Sequence, residues 1–129
     1  MATILVAEDD DSMRGFLTRA LERAGHEVTA VADGLHAVPL LGRGAFDLLL
    51  ADIVMPKMDG IELARRAERA DPAIKIMFIT GFAAVALNPR NGAQAGAKVL
   101  SKPFHLRDMV DEVDRVLNQL PLADDSPSR

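Results

Sequence analysis

An α/β sandwich built on a five-stranded parallel sheet is the fold class this sequence predicts, and three observations carry that prediction. Short apolar runs alternate with segments of helical period along most of the chain, the pattern that produces right-handed crossovers between parallel strands. Three of the runs are continuously apolar, as strands covered by helices on both faces should be. The 129 residues are 49% apolar, enough to bury one core without a disulfide or a structural metal.

The elements follow in order. Thr3 to Ala7 (TILVA) reads as the first strand. A helix comes next, with Ser12 as a plausible N-cap, an apolar stripe of Met13, Phe16, Leu17, Ala20, Leu21 and Ala24, and Gly25 as its stop. Val28 to Val31 is the second strand. Asp33 can cap the following helix, but Pro39 falls inside it, removes a backbone donor and favours a kink or a short helix. Leu48 to Ala51 (LLLA) is the third strand, Ile61 to Ala70 a helix, and Lys75 to Ile79 (KIMFI) the fourth strand. The segment 81–97 contains Asn88-Pro89 and Asn91-Gly92, both turn signals, so at most a short helix and then a loop are expected there. Val99 to Ser101 is the fifth strand, and Leu106 to Leu120 a helix with Leu106, Met109, Val110, Val113, Leu117 and Leu120 at helical spacing. Residues 1–120 are thus read as one domain, and 121–129 (PLADDSPSR) as a disordered tail.

Charge and composition exclude several classes of function. With 15 Lys and Arg against 19 Asp and Glu, the net charge of −4 lacks the basic face of a general nucleic-acid binder. There is no Cys, hence no disulfide framework, no thiolate nucleophile and no sulfur-based zinc site. No window approaches 18 uninterrupted apolar residues, and the start MATILVAEDDD has no signal-peptide pattern, so a cytoplasmic protein without membrane insertion is expected.

In an open parallel sheet, ligands bind beyond the carboxyl ends of the strands. Strand one ends in Glu8-Asp9-Asp10-Asp11, strand three in Asp52, strand four in Thr80-Gly81 and strand five in Ser101-Lys102-Pro103. Carboxylates from strands one and three would repel one another in a partly buried pocket unless a cation or a proton sat between them. Hard oxygen ligands suit Mg²⁺. Asp52 is then a candidate nucleophile for a phosphoryl group, with the Lys102 ammonium and the Thr80 hydroxyl placed to stabilise the phosphoryl oxygens.

These residues carry a family resemblance. Glu8-Asp9 with Met13-Arg14, Asp52-Ile53-Val54-Met55-Pro56-Lys57-Met58-Asp59-Gly60, Ile79-Thr80-Gly81 and Ser101-Lys102-Pro103-Phe104 occur in order, each at a strand end. Together they closely resemble the receiver domain of two-component response regulators, over about residues 3–120. The resemblance implies a flavodoxin-like (βα)5 sandwich with strand order 2-1-3-4-5. It implies phosphorylation of Asp52 by a phosphohistidine on a histidine kinase or histidine phosphotransfer protein. Glu8, Asp9, Asp52 and the Val54 carbonyl would hold Mg²⁺, Thr80 and Lys102 would sense the phosphoryl group, and a cis bond before Pro103 would orient the lysine. Such a domain is a switch and not a metabolic enzyme, catalysing only its own phosphorylation and slow hydrolysis.

Within the family, Leu48 to Asn88 and Ala97 to Val110 are similar to single-domain regulators of a phosphorelay. That similarity implies an adaptor whose unphosphorylated form recruits substrates to the ClpX unfoldase of the ClpXP protease and helps localise the protease, at polar foci, during the cell cycle. Output by protein contact is expected, because only the tail follows the domain. A chemotaxis-type or phosphorelay-intermediate receiver acting on a motor or a kinase is the alternative. A haloacid dehalogenase phosphatase is disfavoured because Met13 stands where its motif after Asp9 and Asp11 needs Thr or Val. A flavodoxin is disfavoured because four consecutive acids would repel the cofactor phosphate.

Other residues read more simply. Asp10 and Asp11 are an acidic helix start favoured by the helix dipole. Met55 and Pro56 shape a loop, and Gly60 begins a helix with no chemistry of its own. His26, His36 and His105 share no metal spacing and read as surface or cap residues. The five Phe read as core, Phe82 excepted. Its run, Phe82 to Leu87, is either buried or a docking patch. Val99 stands where many family members carry an aromatic switch residue. Val54 and Phe82 are apolar where other members carry groups that orient an attacking water, so a long-lived phosphoaspartate is expected.

Overall fold

The computed structural model describes residues 1–81 and 97–118. Its strands are β1 (Thr3–Ala7), β2 (Glu27–Val31), β3 (Leu48–Asp52), β4 (Lys75–Thr80) and β5 (Lys98–Ser101). The described helices are α1 (Asp11–Arg23), α2 (Gly34–Ala37), α3 (Gly60–Ala70) and α4 (Leu106–Leu117), with a 3₁₀ turn over Val38–Leu40. All neighbouring strands run parallel in the order β2-β1-β3-β4-β5. β3 is central and buried throughout, which is why Leu48 to Ala51 can be continuously apolar. Among the described residues no helix is long and apolar enough to cross a membrane.

Strand side chains alternate between faces, and the two faces carry separate cores. Leu5, Ala7, Leu49, Ala51, Ile76 and Phe78 pack with Leu63, Ala64 and Ala67 of α3. Ile4, Val6, Leu48, Leu50, Met77 and Ile79 pack with Leu17 and Leu21 of α1 and with Met109, Val113 and Val116 of α4. The sheet is therefore the middle of three layers.

Several local expectations need correction. α1 is capped by Asp10, whose carboxylate accepts the Met13 N–H at 2.9 Å, so Ser12 lies inside the first turn. Both residues can cap; Asp10 wins because the chain leaves β1 only three residues earlier. Phe16 is 46% exposed, not core, and the Arg19 guanidinium lies over its ring at 5.5 Å. Leu17 and Leu21, one turn apart, take the buried row of α1 and turn Phe16 outward. Of the other described Phe residues, Phe78 is core, and Phe46 and Phe104 are partly buried against it or its counterpart. Pro39 does shorten its helix, α2 passing after Ala37 into the 3₁₀ turn.

His26 is not a surface residue. Its side chain is only 7% exposed, Nδ1 accepts the Ala2 N–H at 3.0 Å, and Nε2 lies 3.1 Å from the Asp114 carboxylate. With Nδ1 an acceptor, the proton sits on Nε2 and is donated to Asp114. His36 is exposed and its Nδ1 lies 2.8 Å from Asp33, while His105 occupies the N-cap position of α4 without a side-chain capping bond. Phe82 to Leu87, the last two residues of the helix expected over Leu106 to Leu120, and the tail expected over 121–129 lie outside the described residues.

At the far end of the sheet from the strand ends, buried Asp71 follows α3 and joins two turns. Its Oδ2 accepts the Gly44 N–H and its Oδ1 the Ala73 N–H, both at 3.0 Å. Asp71→Ala leaves two N–H groups without partners. It is expected to cost about 2 kcal/mol, read as a lower urea midpoint at unchanged slope.

Candidate functional site

The carboxyl ends of β1, β3, β4 and β5 meet at one edge of the sheet, and alternation decides which side chains converge there. Val6, Leu50 and Leu100 all face the α1 and α4 side, and the residue two further along each chain is Glu8, Asp52 and Lys102. The Lys102 Nζ lies 3.1 Å from Asp52 Oδ2 and 3.3 Å from Glu8 Oε1. One carboxylate oxygen from each of Glu8, Asp9 and Asp52 falls within 4.8 Å of the others. Glu8 and Asp52 are buried, and Asp9 is exposed at the mouth.

Thr80 is fully buried and stands one residue past Ile79, the register partner of Asp52 on β4. Its carbonyl accepts the Lys102 N–H at 2.7 Å, fixing where the lysine leaves β5. The Lys102-Pro103 bond is cis.

The electrostatics are those of crowded carboxylates beside one ammonium. Burial drives the Glu8 carboxyl up to about 7, and the charge of Asp52 adds to this against the Asp10 N–H and Lys102. Glu8 Oε2 accepts the Asp10 N–H at 3.1 Å, but buried Oε1 has no hydrogen bond among the described residues, Lys102 approaching it as an ion pair. Burial alone would lower Lys102; the hydrogen bond and charge of Asp52, with Glu8, outweigh it and hold the ammonium above the ordinary lysine value. Asp52 Oδ1 accepts the Val54 N–H at 3.2 Å.

The loop from Ile53 to Asp59 covers this edge. Met55 and Met58 are buried in the α3-side core, Pro56 is exposed, Val54 is 52% exposed, and Lys57 adopts φ 72°. Asp33 braces the loop from the β2 side. The His36 N–H and ring hold its carboxyl below the ordinary Asp value, and Lys57 Nζ approaches to 3.9 Å.

Two residues, Gly60 and Arg14, matter here beyond the reading given to them from sequence. Gly60 opens α3, yet a Cβ there would stand 2.3 Å from the Asp52 carbonyl oxygen, so the helix start presses on the backbone of the site. Arg14 Nη1 donates to the Glu8 carbonyl at 3.0 Å and Nη2 to Asp11 Oδ1 at 2.5 Å. The spacing of Asp11 and Arg14 signals the second contact; nothing in the sequence signals the first. His26, at the opposite end of the sheet, belongs to the framework and not to this site.

Comparison with known proteins agrees with this geometry. Residues 4–114 match the family model described as the response regulator receiver domain. The chain is 62% identical over 117 residues to the response regulator receiver protein CpdR of Brucella abortus, covering 91% of this chain and 98% of that one. A response regulator receiver protein from Sinorhizobium medicae superimposes with a TM-score of 0.81 at 34% identity, covering 90% of this chain and 94% of that one. The non-phosphorylated HemR receiver domain of Leptospira biflexa gives a TM-score of 0.84 at 28% identity, covering 94% and 98%. With the acidic cluster, the lysine and the parallel sheet in place, the chain belongs to the response regulator receiver domain family of two-component systems.

Proposed function

We propose that Asp52 accepts a phosphoryl group from a phosphohistidine on a histidine kinase or histidine phosphotransfer protein. The observation that supports this most directly is the Lys102 ammonium held within 3.3 Å of both Asp52 and Glu8, beside a buried carboxylate oxygen that has no hydrogen bond among the described residues. A site that needs one more positive charge suits Mg²⁺, and the hard oxygens of Glu8, Asp9 and Asp52 fit it, with the Val54 carbonyl as the further ligand that the family resemblance implies. When bound, Mg²⁺ neutralises the carboxylates and the phosphoryl oxygens.

The side chains do the rest. An Asp52 carboxylate oxygen attacks phosphorus, an O–P bond forms as the P–N bond breaks, and the donor imidazole keeps the electron pair and takes up a proton. Lys102 and the Val54 N–H hold the carboxylate, and the Thr80 hydroxyl and Lys102 receive the new oxygens. Thr80 and Lys102, at adjacent strand ends, carry the change outward. The domain, residues 1–120 followed by the tail 121–129, is a cytoplasmic switch with no other chemistry of its own.

For output we favour an adaptor for ClpXP proteolysis in the cell cycle, supported by the 62% identity to a protein named CpdR. Co-purification with ClpX, stronger for Asp52→Ala than for phosphorylated wild type, is expected. Retention on a flagellar motor or a kinase instead assigns the protein to the chemotaxis or phosphorelay-intermediate class. The phosphoryl chemistry is tested by incubation with a small acyl phosphate and Mg²⁺, followed by intact mass; absence of an adduct on wild type removes this reading.

Lys102→Met leaves Glu8 and Asp52 facing one another without the ammonium. Breaking a fully buried pair costs about 3–5 kcal/mol. Lys102 is 27% exposed, so a loss of about 2 kcal/mol is expected in Mg²⁺-free buffer. Added Mg²⁺ should restore much of the lost thermal stability; melting curves with and without the metal check this.

A further inference from the structure

We infer that Arg14 is a positioning residue for the metal-holding loop, its guanidinium setting the direction from which Asp9 is presented to a divalent cation. The inference rests on the assignment of Glu8, Asp9 and Asp52 to Mg²⁺ made above. β1 ends at Ala7, so the Glu8 carbonyl has no ladder partner among the strand hydrogen bonds. Arg14 Nη1 supplies the partner at 3.0 Å. That carbonyl lies in the same rigid peptide plane as the nitrogen and Cα of Asp9, so anchoring one fixes the other.

The anchor is itself held from both sides. Arg14 Nη2 is tied to Asp11 Oδ1 at 2.5 Å, its own backbone N–H donates to the Asp10 carbonyl at 2.8 Å, and the side chain is only 23% exposed. One planar fork therefore spans a carbonyl before the helix and a carboxylate in its first turn. A lysine, with a single compact ammonium, cannot occupy both positions.

Charge and geometry predict opposite signs, which makes the inference testable. Removing a positive charge near an acidic cluster should, on charge alone, tighten Mg²⁺ binding. Loss of the anchor should weaken it, by about tenfold, as for other groups that orient metal ligands. Mg²⁺ is titrated calorimetrically into the full chain at fixed ionic strength, for wild type, Arg14→Met and Arg14→Lys, with melting curves to confirm folding. About tenfold weaker binding by Arg14→Met, with Arg14→Lys also weakened, is the expected result. Arg14→Lys keeps the charge and the helix propensity, so it remains informative if Arg14→Met does not fold. Binding by Arg14→Met as tight as wild type or tighter, or by Arg14→Lys equal to wild type, overturns the inference alone, provided wild type is labelled by acyl phosphate. Wild type that binds no Mg²⁺ overturns it together with the metal assignment.

Discussion

Asp52→Asn is expected to take up no phosphoryl group from acyl phosphate and Mg²⁺ under conditions that label wild type, while remaining folded. The carboxylate is the only group at the end of β3 able to form an acyl phosphate, and the amide that replaces it is both a poor nucleophile and a poor cation ligand. Stability should stay within about 1 kcal/mol of wild type or rise, because the substitution removes one of two buried like charges beside Lys102. Intact mass and a urea melt on one preparation check both halves. An adduct that survives would move the acceptor to another carboxylate of the cluster, Glu8 or Asp9. An Asn variant that unfolds would mean that Asp52 holds up the sheet edge, contrary to the like-charge argument.

Gly60→Ala should be the most damaging small substitution in the site. The added Cβ would lie 2.3 Å from the Asp52 carbonyl oxygen and 3.0 Å from the Ile53 Cα, both backbone atoms that no rotamer change can move aside. α3 must then retreat from β3, against the Gly60 N–H to Ile53 carbonyl bond at 2.9 Å. Such overpacking costs about 3 kcal/mol, more than the roughly 1 kcal/mol that alanine gains over glycine in a helix. A melting temperature lowered by several degrees is expected, and acyl-phosphate labelling should slow as the Asp52 backbone shifts. Gly42→Ala is the control, since none of the described residues lies within 4 Å of the Cβ it would add. It should stay within about 0.5 kcal/mol of wild type. Equal stability of the two variants would refute the contact.

The architecture was legible because it follows from local periodicity. β1 runs over the residues read as strand, and the other strands differ by one residue at an end. Those differences matter, since β3 reaches Asp52 and β4 reaches Thr80, extending the ladder to the candidate site side chains. The convergence of Glu8, Asp9, Asp52 and Lys102 was legible too, because strand ends of a parallel sheet share one edge. What could not be read depends on approach between distant segments. The burial of His26 needs Ala2, 24 residues away, and Asp114, 88 residues away. The pressure of Gly60 on Asp52 is a backbone contact that leaves no trace in hydropathy, and a lone glycine before a helix looks the same with or without it. The capping error at Ser12 arose from several adjacent residues of equal capping ability, of which Asp10 takes the cap.

The side-chain rows running into the site have a consequence for how this domain can vary in length. Val6 to Glu8, Leu50 to Asp52 and Leu100 to Lys102 are each two-residue steps along one face. An inserted or deleted residue within any of these steps would swing one charged group to the α2 and α3 side and strand it among Met55, Met58 and Phe78. The turns at the other end, around Gly42 to Ala45 and Asp71 to Ala73, carry no such parity, so a change of length there that keeps the Asp71 hydrogen bonds leaves the three charges in phase. Between its rows of core residues the sheet thus acts as a reading frame, tolerant of many exchanged letters and intolerant of a shifted one.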